Sequence, residues 1–143
     1  MLLNVKNLLK NIKLFRPCTR NIRRRVSILV KINKKSFLVD TSPDLRMQML
    51  DAKVKDIDAV LYTHSHADHV HGIDDLRAFC WQRKNNKPLP IYSDQYTIDQ
   101  ITNRFDYAFE NKYGPAVPSL AANTIGLGKN IIHGINVEVI KQI

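Results

Sequence analysis

The sequence predicts an α/β fold, a mixed sheet with flanking helices, and three observations carry that expectation. Short β-branched apolar runs, "VSILVKI" (26–32), "SFLVD" (36–40) and "AVLYT" (59–63), read as strands. Between and after them, apolar residues recur at helical spacing. Elements of both kinds, in mixed order along 143 residues, suit one layered domain with a sizeable core.

The beginning of the chain is basic and free of acid. Residues 1–39 hold eleven Lys/Arg and no acid, whereas residues 40–143 hold eleven Lys/Arg against thirteen acids, so the excess behind the net charge of +9 belongs to the start. Leu2, Val5, Leu8, Leu9, Ile12 and Phe15 recur at helical spacing, with Lys6, Lys10 and Lys13 between them. This predicts a basic amphipathic leader over residues 1–17, able to lie on an anionic membrane or serve as a transit peptide. Arg20, Arg23, Arg24 and Arg25 could instead neutralise the phosphates of a nucleic acid. The plainest reading is a solvated basic segment. No run approaches the ~20 apolar residues of a membrane helix. Cys18 and Cys80 are unrelated in spacing and form no disulfide framework, so a reducing cytoplasm is the expected location.

Strands 26–32 and 36–40 flank a polar "NKK" that suits a hairpin loop. "TSPDLRMQML" then starts a helix, with Ser42 as N-cap, Pro43 at the first helical position and Asp44 favouring the helix dipole. The third strand, 59–63, is apolar enough to be buried on both faces. Ile73, Leu76 and Cys80 predict a helix over roughly 73–84. "NNKPLP" reads as a loop and "IYS" (91–93) as a short strand. Ser93 or Asp94 can cap a further helix whose Ile98, Ile101 and Phe105 share one face, and Gly114-Pro115 and Pro118 are expected to end it. "NIIHGINVEVI" reads as two β segments with a turn at His133-Gly134.

The chemistry concentrates in "VLYTHSHADHVHGIDDLRAF", residues 60–79, which carries four of the five histidines. Imidazoles and carboxylates are ligands of choice for Zn²⁺ and related divalent ions. His64 and His66, two apart on extended backbone, leave it on the same side and can converge on one ion. Asp68 and His69 follow as the chain turns into a helix and can reach a second ion. Paired ions clamp the attacking and leaving oxygens of a hydrolytic displacement and lower the pKa of bound water. A lone histidine would more often be a solvated one, but four ligand-type residues within six positions at a strand end point to metal. His71 lies outside the pattern and reads as a surface or supporting residue, and His133 as solvent-facing.

His64-Ser65-His66-Ala67-Asp68-His69 resembles the H-x-H-x-D-H signature of the metallo-β-lactamase superfamily, whose members include ribonuclease Z, glyoxalase II and the cyclic phosphodiesterase of phosphonate degradation. "FLVDTSPDLR" resembles the superfamily's strand ending in Asp, and "HGIDDLRAF" resembles the phosphonate-phosphodiesterase-like branch. The resemblance implies the αββα-type fold over residues 18–143, of which the chain would hold the N-terminal portion only. It implies metal-dependent hydrolysis of a small phosphodiester or ester, with two divalent ions, Zn²⁺ or else Mn²⁺. His64 and His66 would bind the first ion, and Asp68 and His69 the second, Asp68 also orienting the water as the catalytic residue. Asp40 would hold the loop by hydrogen bonds. Arg77 could meet a substrate phosphate, or pair with Asp74 at i, i+3.

The superfamily site also takes a third histidine, a bridging Asp and a late histidine. After His71 the one further histidine is His133, ahead of the last strand, and only Glu138 follows it as a possible ligand. The expectation is a truncated chain with two incomplete sites, weak exchangeable metal binding and little hydrolysis alone, unless a downstream polypeptide supplies the rest. A non-catalytic basic module that binds nucleic acid or anionic lipid is the alternative.

Overall fold

A computed structural model describes residues 2–4, 12–14, 24–110 and 113–141. Strand β3 (Ile28–Ile32) turns into β4 (Lys35–Val39) through Asn33 and Lys34, both at positive φ (48° and 63°). Two left-handed residues make the hairpin turn whose twist matches that of its strands. Lys35 of the expected "NKK" loop is therefore the first residue of β4. From β4 the sheet continues in parallel through β5 (Ala59–Leu61), β6 (Leu89–Ser93) and β7 (Leu120–Thr124). With β2 (Ile12–Leu14) antiparallel to β3, the order is β2-β3-β4-β5-β6-β7. A second, antiparallel sheet has the order β1-β9-β8, from Leu2–Asn4, Ile135–Ile140 and Gly128–Ile132. The turn between the last two is His133-Gly134, at φ 51° and 78°.

Alternation along the strands divides the apolar side chains between two cores. Leu38 and Val60 face the helices and pack with Leu45, Ile73, Leu76 and Ile101. Phe37, Val39, Ala59 and Leu61 face the second sheet and pack with Ile132, Val137 and Val139. Strand β5 is thus buried on both faces, which is what its unbroken apolar run requires. The layers are helices, six-stranded sheet, three-stranded sheet.

Several expectations need correction. Leu2–Asn4 and Ile12–Leu14 are strands, paired with Ile140–Glu138 and Val30–Ile28. The helical spacing noted at these positions is overruled by open sheet edges that accept them. The rest of residues 1–23, including Cys18, Arg20 and Arg23, lies outside the described residues.

Helix α1 begins at Leu45 and runs to Asp51. Ser42 caps the preceding turn instead: its hydroxyl accepts from Asp44 N (3.3 Å) and its carbonyl from Leu45 N (2.9 Å). A short helix, α2 (Ala67–Val70), precedes the segment 73–84, and the single helix expected there is instead a 3₁₀ turn at Ile73–Leu76 followed by α3 (Arg77–Cys80). Strand β6 starts at Leu89, within the expected loop. Pro90 is tolerated there because its missing N–H faces β5, whose pairing begins only at Ile91. Strand β7 has no counterpart among the expected elements; its alanines and Asn123 lack a β-branched signature.

Helix α4 (Gln95–Arg104) is capped by Asp94, whose carboxylate accepts from Thr97 N (2.9 Å) and Thr97 Oγ1 (3.0 Å). It ends at Arg104, ten residues before Gly114-Pro115, because Phe105 leaves helical geometry (φ −127°, ψ 40°). Asp94→Ala is expected to cost about 1 kcal/mol, measured as a lowered urea midpoint at unchanged m-value. No helix among the described residues is long and apolar enough to cross a membrane.

Candidate functional site

The loop starts where β4 and β5 end, at the carboxyl edge of the parallel strands. Asp40 follows β4 at φ 60°, a left-handed conformation that Asp tolerates better than most side chains. Its N–H donates to Leu61 O (2.9 Å), and the residue is buried at 3% exposure. A buried carboxylate needs donors. Thr63 N supplies one to Oδ1 (2.8 Å), and Thr63 Oγ1 and His69 Nδ1 each meet Oδ2 at 2.8 Å.

These hydrogen bonds assign the ring protons. A carboxylate only accepts, so His69 Nδ1 carries the proton given to Asp40. Thr63 has one hydroxyl proton, and it goes to the same carboxylate. At its 3.0 Å approach to His64 Nδ1 the hydroxyl therefore accepts, and His64 too is protonated on Nδ1. Both rings are left with a lone pair on Nε2. The rings stand 4.0 Å apart by centroid, and His66 lies edge-on to His64 at 4.7 Å. Asp68 Oδ2 lies 3.5 Å from His69 Nε2. The His64 imidazole is held below its ordinary pKa, because burial penalises the cation and the neighbouring His69 repels it, against the opposing pull of Asp40. Burial thus favours the neutral ring, the form that ligates.

More distant parts of the chain hold the loop. Arg104 Nη1, in the last turn of α4, donates to Ser65 O (2.6 Å). Thr41 N donates to His69 O (2.7 Å), and Thr41 Oγ1 joins Val70 O (3.1 Å) to the buried Tyr62 hydroxyl (3.0 Å). Gly72 N closes the loop on Thr41 O (2.9 Å). Of these, Thr63 lies beside the motif and is legible as its strand end. Arg104 is 39 residues from Ser65, and no local pattern marks it.

The fold brings His64, His66, Asp68, His69 and Asp40 together. Arg77 does not join them. Its guanidinium donates to Ala116 O (3.0 Å) and lies 5.2 Å from the centre of the Trp81 ring. Asp74 accepts from the Tyr107 hydroxyl (2.8 Å), so the expected Arg77–Asp74 pair is replaced by two tertiary interactions. His71 and His133 are exposed, and His133 packs edge-on to Phe37 near the opening of β4, at the opposite end of the sheet. In kind, three imidazoles and a carboxylate fit a divalent ion such as Zn²⁺. In arrangement they fall short: among the described residues no three His, Cys, Asp or Glu side chains are grouped to hold one metal ion.

The family model described as a β-lactamase superfamily domain matches residues 35–142. A segment of an octanoyltransferase from Porphyromonas gingivalis is 43% identical over 99 residues, covering 68% of this chain and 19% of that protein. A ribonuclease Z from Bradyrhizobium is 30% identical over 81 residues, covering 55% of this chain and 27% of its own. Among solved structures, a diphosphatase from the PhnP family superposes with a TM-score of 0.66 at 30% identity, over 78% of this chain and 42% of that one. The chain thus spans less than half the length of each.

Proposed function

Because the chain belongs to the metallo-β-lactamase superfamily, a family of metal-dependent hydrolases, we propose that it acts on phosphodiesters through a two-metal site of which it carries one part. The observation that carries the reading is the proton arrangement around Asp40 and Thr63. It leaves a lone pair on Nε2 of each of two rings whose centroids are 4.0 Å apart, beside a carboxylate. The names of the diphosphatase and the ribonuclease Z, both enzymes of phosphate-bearing substrates, support the substrate class.

His64 and His66 would hold one ion, and Asp68 and His69 the other. Divalent ions there would supply an activated water and neutralise charge on the phosphoryl oxygens. Asp68, exposed at the mouth of the loop, would orient that water, and Asp40 and Thr63 would keep the rings in the ligating tautomer. The third histidine, bridging Asp and late histidine of the superfamily would come from outside residues 1–143, in the same or a second polypeptide. The alternative of a purely basic binding segment is weakened at two of its cations: Arg24 pairs with Asp51, and Arg25 with Asp44.

Zn²⁺ or Mn²⁺ titrated into the chain by calorimetry is expected to bind weakly, in the millimolar range or somewhat tighter, and to be stripped by a chelator. His64→Ala combined with His69→Ala should abolish the heat. Absence of binding at millimolar metal would overturn the reading. Turnover of bis-p-nitrophenyl phosphate that disappears in Asp68→Ala would show instead that two ligands per ion suffice.

A further inference from the structure

A second surface lies at the other end of the same sheet. Helix α3 runs from the metal loop back toward the opening ends of the parallel strands. There Cys80 Sγ meets Ser119 O (3.3 Å) and Arg83 Nη1 meets Ile57 O (3.1 Å). Trp81 sits at this end with 58% of its surface exposed, an unusual setting for so large an apolar ring. It is nonetheless fixed in place: its Nε1–H donates to Pro115 O (2.8 Å), and the Arg77 guanidinium lies over the ring. A cavity of about 290 Å³ opens beside it, lined by Trp81, Asn86, Gly114 and Pro115.

The segment that carries the ring is basic. Residues 76–93 contain Arg77, Arg83, Lys84 and Lys87 and no acid. Arg83 is engaged with Ile57 O and Lys87 O, but the Lys84 and Lys87 residues are exposed. An exposed aromatic held by a hydrogen bond and carrying a guanidinium, an adjoining cleft and exposed lysines together make a surface on which flat bases stack while cations follow a phosphate backbone.

We propose that Trp81, Arg77, Lys84 and Lys87 form a platform for single-stranded nucleic acid. The platform is separate from the metal loop and does not depend on its chemistry. It also differs from the basic start of the chain in that its cations surround a fixed aromatic ring.

Trp81 is the chain's single tryptophan, so its fluorescence reports base stacking directly. An oligothymidylate of about a dozen nucleotides, within the span of known single-strand sites, is expected to quench it saturably, and a duplex of equal length to quench it far less. In anisotropy with a labelled oligonucleotide, Trp81→Leu should lose about 5- to 100-fold in affinity. Trp81→Phe, which keeps a stackable face, should hold within a few-fold. Replacing Lys84 and Lys87 by Gln should flatten the salt dependence by about 0.7 for each phosphate that a lysine no longer neutralises. His64→Ala should bind as the parent does, so failure of the metal reading leaves this result intact. Binding without quenching, equal affinity for duplex, or equal affinity of the Phe and Leu variants would each overturn the proposal.

Discussion

Gly72→Ala is expected to destabilise the chain by about 2–4 kcal/mol, through overpacking against backbone. Gly72 has ordinary negative φ (−90°), so its backbone angles do not demand glycine. Space does. A Cβ at this position would stand 2.1 Å from Ser42 O and 2.9 Å from Leu45 Cβ. The first of these is backbone at the start of α1 and cannot rotate away. Relief would require separating the exit of the metal loop from α1, which would also stretch the 2.9 Å bond from Gly72 N to Thr41 O. Denaturant melts of the parent and variant measure the effect. An unchanged midpoint would mean that the two segments do not meet as described.

The second large effect is expected at Asp40. In Asp40→Asn the amide can still accept from Thr63 N, but its NH₂ now faces Thr63 Oγ1 and His69 Nδ1, where oxygen stood. A donor opposite Nδ1 drives the ring proton to Nε2 and removes the lone pair offered to metal. Affinity for Zn²⁺ is expected to fall about 10- to 100-fold, with little change in thermal stability, since Asn also tolerates a left-handed backbone. Nitrogen NMR of the His69 ring should show the exchanged tautomer. Asp40→Ala should add a stability loss of about 1–3 kcal/mol, because it leaves Thr63 N–H without its acceptor. Metal affinity unchanged in Asp40→Asn would sink the proton assignment on which the proposed site rests.

What could be read from the residues was local. The β3–β4 hairpin, β5 and the final hairpin announce themselves by short β-branched runs and turn residues, and the ligand-type residues crowd six consecutive positions. Three kinds of feature were not legible. Strand β7 owes its place to its neighbour: "LAANT" has weak β propensity but pairs with all five residues of β6. The close approach of Gly72 to Ser42, thirty positions earlier in the chain, sets the entry to the 73–84 segment and has no local signature. The support of Arg104 under Ser65 depends on where α4 lands after the β6 crossover. Helical spacing at Leu2–Asn4 and Ile12–Leu14 misled for a related reason, since periodicity does not register the sheet edges open to these residues.

The parallel run β4-β5-β6 has a consequence for the order of events during synthesis. Parallel neighbours cannot be joined by a tight turn, so β5 is secured only when β6 arrives on its far side, after the long crossover from Leu61 to Leu89. Such non-local pairing is slow relative to hairpin closure. A nascent chain that has displayed His64 to His69 at the ribosome exit still lacks the frame that aims Nε2 of His64 and His69, and Arg104 has yet to be made. On the metal reading proposed above, capture of an ion would therefore follow folding, because the ion would meet a loop already set by the sheet.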